Sequence, residues 1–161
     1  MEEGQSSNEK RKVMVAISES EYSRHALEWA LEYFHDMFVD AEVVIFNAQS
    51  TKDYSYVYAY AAGVTSPELL TTIREKQQNT STALLEMAKN ICEKYGVQAS
   101  TACEVGDPKE VICEAVEKLK IQLLVVGSHG RGAVKRALLG SVSDYCINYA
   151  KCPVLVVKKK A

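Results

Sequence analysis

Short apolar runs alternate with amphipathic stretches along this 161-residue chain. Arg11 to Ile17 (RKVMVAI) reads as a strand, broken by Ser18-Glu19-Ser20-Glu21. Tyr22, Ala26, Trp29, Ala30, Tyr33 and Met37 then recur at helical spacing, which predicts a helix over roughly residues 21–38. Either serine can cap it, and Ser18 with Glu21 has the spacing of a capping box. Ala41 to Ala48 (AEVVIFNA) is a second strand with a continuous apolar centre. Ser66-Pro67 starts a helix well, with serine as cap and proline in the first turn. Its stripe runs through Leu70, Ile73, Gln77, Thr80, Leu84, Met87, Ile91 and Tyr95 to a stop at Gly96. A helix near thirty residues is long for a domain of this size, so its first turns are expected to be broken or displaced.

Val97 to Glu104 is a weaker strand, and its small and polar residues suit a sheet edge. Asp107 as cap, Pro108 at the first helical position and Glu110 two residues on predict a helix start. That helix is expected to bury Val111, Ile112, Ala115, Val116 and Leu119. Ile121 to Val126 is a fourth strand, Ser141 to Ala150 a helix stopped by Cys152-Pro153, and Val154 to Val157 a last strand. Five strands alternating with four helices imply an α/β fold, a parallel sheet with helices on both faces joined by right-handed crossovers. In such sheets a ligand sits beyond the carboxyl ends of the strands, where strand order reverses. If the first and fourth strands are neighbours, Ser18 and Gly127 flank that crevice.

Three glycines, Gly127, Gly130 and Gly132, follow the fourth strand within six residues, and Gly140 precedes Ser141-Val142-Ser143. Glycine costs folding entropy, so such a cluster needs a local reason, either positive φ or close backbone approach. Loop amides and the first amides of the following helix, which lack intrahelical partners, can together cradle an anion. The competing reading is a glycine-rich turn that only joins strand to helix.

Composition narrows the function. The net charge of −2 argues against broad nucleic-acid binding, and no apolar run reaches membrane-spanning length. The polar N-terminus shows no apolar signal segment, so export is not expected. Five cysteines without a CxxC pair suit a reducing compartment, with Cys92 and Cys113 as small hydrophobes on helix faces. His25, His35 and His129 lack paired-ligand spacing. Residues 1–10 read as a disordered tail before one domain, residues 11–161. Tyr54, Tyr56, Tyr58 and Tyr60 alternate either as an extended aromatic face or as a loop over a crevice or partner surface. Arg131, Lys135 and Arg136 supply local positive charge, to phosphates or to solvent. Lys158 to Lys160 read as a solvated tail.

The motif GSHGRGAVKRALLGS, with VMVAISES, GDPKEVI and CPVLVV around it, resembles the UspA-like universal stress protein family, in its single-domain plant form. The likeness spans roughly residues 12–158. It implies a three-layer, flavodoxin-like or adenine nucleotide alpha hydrolase-like sheet in strand order 3-2-1-4-5. It also implies ATP or AMP as ligand, with Mg2+ as an optional companion. On that resemblance Gly127, Ser128, His129, Gly130, Arg131, Gly132, Gly140, Ser141, Val142 and Ser143 form the phosphate loop. Ile17, Ser18 and the end of the second strand lie near adenosine. The family commonly has aspartate where this chain has Ser18, and serine replaces only part of that hydrogen bonding. The resemblance further implies a homodimer paired through Val154–Val157, signalling protein partners, and a cytoplasmic or nuclear location.

Three functions stay open: a stress-response regulator that binds adenine nucleotide, an interaction protein with an incidental crevice, and a slow ATP hydrolase. The chain has no GxxxxGK[ST] motif, no serine elbow and no glycosidase carboxylate pair. His129 and Asp144 are the weak candidates for a catalytic base.

Overall fold

A computed structural model describes residues 9–50, 59–64, 66–130 and 138–159. Tyr54, Tyr56, Tyr58, Arg131, Gly132, Lys135, Arg136, Lys160 and most of the N-terminal tail lie outside the described residues. The elements are β1 (Lys12–Ala16), α1 (Glu21–Tyr33), α2 (His35–Asp40), β2 (Glu42–Gln49), α3 (Pro67–Lys94), β3 (Ala99–Val105), α4 (Pro108–Lys118), β4 (Leu123–Gly127), α5 (Ser141–Tyr149) and β5 (Val154–Val157).

The five strands form one parallel sheet in the order β3-β2-β1-β4-β5. Alternation along each strand decides which layer a side chain serves. Val13, Val15 and Ile17 of β1 and its exit face one core with Val43, Ile45 and Val125. That core packs beneath Ala26, Leu27, Ala30 and Leu31 of α1, Phe38 of α2, and Leu85, Ala88, Ile91 and Cys92 of α3. Met14, Val44, Phe46, Leu124 and Val126 face the opposite core, covered by Val111, Ile112, Ala115 and Val116 of α4 and Cys146 of α5. Helices α1 to α3 therefore cover one face and α4 and α5 the other, the three-layer α/β/α arrangement.

The chain winds from β1 outward to β3, then returns through α4 to place β4 on the other side of β1. That reversal lies between β1 and β4, whose partners include Val15↔Val125. Asparagine at position 47, directly opposite Cys103 of β3, is the polar residue that follows the apolar run of β2.

Several local expectations are corrected. The helix expected over 21–38 breaks at Phe34 (φ −118°, ψ 32°) into α1 and α2. The break aims Phe38 fully into the core, while Tyr33 stays exposed and stacks on Trp29 at 4.9 Å. The buried stripe of α1 includes Leu27 and Leu31 and excludes Tyr33. Ser20, not a Ser18–Glu21 box, caps α1, accepting from Tyr22 N at 3.2 Å. Helix α3 runs unbroken for 28 residues. Ser66 Oγ caps it by accepting from Leu69 N, and Thr71, Thr72 and Thr80 hydroxyls bond back to carbonyls one turn earlier. Asp107 stands at the start of α4 with extended backbone but makes no side-chain cap bond. Leu119 is the C-cap of α4 and stays exposed, because the helix ends before its apolar stripe reaches that position. Lys159 is not merely solvated: its Nζ pairs with Glu21 at 2.9 Å.

The five cysteines are free thiols. Burial pushes Cys92 up to about 11 and raises Cys113, Cys146 and Cys152 as well. These four groups stay neutral at ordinary pH and pack as small hydrophobes. No described helix is long and apolar enough to cross a membrane.

Candidate functional site

Beyond the carboxyl ends of β1, β2 and β4 lies a crevice of about 1080 Å3. Its walls come from the β1 exit, the β2 end, the middle of α3, the start of α4, the β4 loop and the start of α5. Ile17, Ser18, Gly127, His129, Gly130, Gly140, Ser141, Val142 and Ser143 all line it. Ser128, alone among the described candidates, does not, and Arg131 and Gly132 lie outside the described residues.

The β4 loop is closed at its base. Gly140 N donates to Ser128 O at 2.7 Å, and Ser143 Oγ donates to the same carbonyl at 3.0 Å, with Gly140 O at 3.1 Å. Ser128 N in turn donates to Val157 O of β5 at 3.1 Å. Ser128 and Ser143 are both nearly inaccessible, so their hydroxyls serve the loop's own structure. The Ser128 hydroxyl lies 3.1 Å from His129 Nδ1.

Gly127 and Gly140 are present for close approach, not for positive φ, which is confined to Gly63, Gly96 and Gly106 among described glycines. A β-carbon at Gly127 would lie 2.7 Å from the Tyr22 carbonyl carbon and 2.9 Å from Ser23 N. Gly127 thus lets the first turn of α1 seat directly on the end of β4. A β-carbon at Gly140 would lie 3.1 Å from His129 Cα. At Gly130 it would meet nothing within 4 Å, so this residue leaves its backbone uncovered towards the crevice.

Helix α5 starts on that uncovered side. Its N-cap is Gly140, which has no side chain to cap the helix, and Asp144 N is the first amide to find a helical acceptor, Gly140 O at 3.0 Å. The amides of Ser141, Val142 and Ser143 therefore form an open, positively polarised end at the crevice wall. Lys76 of α3 and Lys109 of α4 line the same crevice. Lys109 has Asp107 at 3.9 Å and the Tyr145 ring at 5.6 Å. The arrangement suits an anion held by backbone amides with cationic side chains nearby.

The other end is a tight serine turn. Ser18 Oγ accepts from Ser20 N at 3.2 Å, Ser18 N donates to Ser23 Oγ at 3.0 Å, and Ser23 Oγ donates to Ser20 O at 2.8 Å. Ser20 Oγ reaches His129 O at 3.4 Å, and the Tyr22 ring lies 5.2 Å from that of His129, joining this turn to the β4 loop. The Ile17 side chain is buried in the core, so this residue presents backbone to the crevice.

Sequence reasoning reached Asn47 only as part of the end of the second strand and missed the crevice residues Ser81, Gln77, Lys76 and Lys109. Asn47 carried a signal, a polar residue directly after the apolar run of β2, whereas Ser81 is revealed only by its burial on α3. Asn47 Nδ2 donates to Ile17 O at 2.9 Å and Ser81 Oγ donates to Asn47 Oδ1 at 2.7 Å. Among the described residues no group of three or more His, Cys, Asp or Glu is placed to hold a metal ion.

Comparison with known proteins places this geometry among relatives. The model of the universal stress protein family matches residues 10–158. The universal stress protein A-like protein of Arabidopsis thaliana is 31% identical over 169 residues, covering 96% of this chain and 93% of the relative. The universal stress protein MJ0531 of Methanocaldococcus jannaschii is 32% identical over 149 residues, covering 92% and 82%. A universal stress protein family protein of Arabidopsis thaliana, solved with AMP bound, superimposes with a TM-score of 0.67 at 29% identity, covering 94% and 93%.

The two kinds of glycine are separable by experiment. Gly127→Ala is expected to cost about 1–3 kcal/mol, because its β-carbon meets backbone that cannot step aside. Gly130→Ala is expected to stay within about 0.5 kcal/mol of the parent. Urea denaturation midpoints check both, and equal effects would mean that the packing of α1 on β4 has been misread.

Proposed function

This chain belongs to the universal stress protein family, and from that premise we propose that it binds an adenine nucleotide, ATP or AMP, in the β1–β4 crevice as a regulatory protein. One observation carries the reading. The uncovered backbone at Gly130 and the open amide end of α5 converge on one crevice at the sheet's reversal point. In this reading phosphates lie against Gly130, Gly140, Ser141, Val142 and Ser143, and the nucleoside lies towards Ile17, Ser18 and the end of β2. The AMP bound by the Arabidopsis relative supports the same ligand class. Mg2+ enters on the phosphates of ATP.

The site binds and does not turn over rapidly. Phosphoryl transfer needs a placed base, a cationic clamp and metal ligands acting together. His129 has its ring against Tyr22 and its Nδ1 beside the Ser128 hydroxyl, which favours a packing role. The bound nucleotide acts through conformation or partner binding, in a reducing compartment, the cytoplasm or nucleus, where five free thiols persist.

The chain pairs with a second copy through β5. This strand is at one edge of the sheet, and Val154, Leu155 and Val156 are only half-buried. A bare apolar edge is a template for another strand, and antiparallel pairing about a twofold axis closes both edges.

Two outcomes are expected. Nucleotide-stripped protein titrated with ATP and Mg2+ gives a saturable signal below millimolar ligand, and Gly130→Val abolishes it while Ser141→Ala weakens it only mildly. The same samples release ADP far more slowly than about one turnover per second, against typical kinase rates of about 1–100 per second. No saturation up to millimolar ATP would favour an interaction protein. Separately, light scattering at micromolar concentration gives a dimer mass for the parent and a shift towards monomer for Val156→Lys. A monomeric parent would remove the β5 pairing.

A further inference from the structure

The floor of the crevice holds a buried amide with one proton that no described group accepts. Asn47 is 6% exposed and lines the crevice. Its orientation is set by its neighbours. Ile17 O can only accept, and Nδ2 lies 2.9 Å from it. Ser81 Oγ donates to Oδ1 at 2.7 Å, and the Cys103 thiol lies 3.9 Å from the same oxygen. Turning the amide over would set oxygen against oxygen at Ile17, so the assignment is unique. An asparagine Nδ2 carries two protons. One is taken by Ile17 O, and no described group accepts the other. A buried donor without an acceptor costs about 1–3 kcal/mol, and an acceptor on a ligand seated in the crevice would remove that cost.

We infer that Asn47 is a specificity-determining residue whose second amide proton donates to an acceptor on the nucleoside of the bound ligand. This rests on the nucleotide reading above and adds a named contact at its nucleoside end. The acceptor is either a purine ring nitrogen or a ribose oxygen, both of which offer a lone pair to an N–H donor. The first amide proton serves the fold instead, fixing the Ile17 carbonyl and thereby the entry to the Ser18 turn. Ser81 of α3 holds Asn47 from behind, so that helix sets the direction of the donor.

Ligand analogues separate a contact from a purely structural role. The parent and Asn47→Leu are titrated with ATP, with 1-deaza-, 3-deaza- and 7-deaza-ATP, and with 2′-deoxy- and 3′-deoxy-ATP. One analogue is expected to bind the parent about 5- to 10-fold more weakly than ATP, the worth of one hydrogen bond. That loss is expected to vanish in Asn47→Leu, which no longer has the donor. A deaza analogue so coupled identifies a ring nitrogen, and a deoxy analogue identifies a sugar oxygen. If Asn47→Leu does not fold, the side-chain amide signals of Asn47 in 15N-labelled parent decide. ATP is expected to shift one of the two protons well beyond the other and slow its exchange. Unchanged amide signals at saturating ATP, or equal analogue losses in parent and variant, overturn the assignment while the functional reading stands. No binding of ATP to the parent overturns both.

Discussion

One carbonyl, that of Ser128, holds the crevice together. It accepts the Gly140 amide and the Ser143 hydroxyl, while the Ser128 amide is spent on Val157 of β5. The first pair of bonds closes the loop between β4 and α5 and fixes where α5 begins. The last ties that loop to the sheet edge. Because Ser128 and Ser143 are almost inaccessible, these bonds form away from competing water and hold a helix start open to the crevice. Without that closure the amides of Ser141 to Ser143 would have no defined direction, and the reversal between β1 and β4 would leave a gap with no chemistry.

The second half of the crevice is built on hydroxyls and one amide. Ser18, Ser20 and Ser23 satisfy one another and the backbone around them, so the turn after β1 is complete without an acid. This bears on Ser18, where the resemblance drawn from the sequence implies an aspartate. The hydroxyl preserves the local turn by accepting from Ser20 N, as an aspartate side chain also can. What serine cannot supply is a full negative charge facing the crevice. The Ser81–Asn47–Ile17 chain runs beside this turn and joins it to β2 and α3. Three elements distant in sequence therefore set one edge of the crevice through two short hydrogen bonds.

The sheet was legible in the sequence because each strand is a short apolar run bounded by residues with a turn or capping role. The edge position of β3 followed from its polar content, and the crevice followed from where strand order reverses. The face of α1 was harder. Tyr33 imitates a core position, yet it stays exposed and stacks on Trp29, which is itself half-buried against the core, while Leu27 and Leu31 are fully buried. Gly127 was legible as a required glycine, but its requirement comes from the backbone of Tyr22 and Ser23, a contact between elements that no local pattern encodes. Asn47 stands near the end of the second strand without being singled out by sequence reasoning, and only its partners from β1 and α3 reveal its use. Of the glycine-loop residues singled out, Arg131 and Gly132 lie outside the described residues.

The central claim is that backbone amides of the β4 loop and the α5 start receive an adenine nucleotide. Amide 1H–15N spectra of the nucleotide-stripped protein, recorded as Mg2+·ATP is added, test it most directly. The account predicts the largest shifts at Gly130, Gly140, Ser141, Val142 and Ser143, with a second group at Ile17, Ser18 and Ala48. Saturating shifts confined to other surfaces, or none at millimolar ATP, would contradict it.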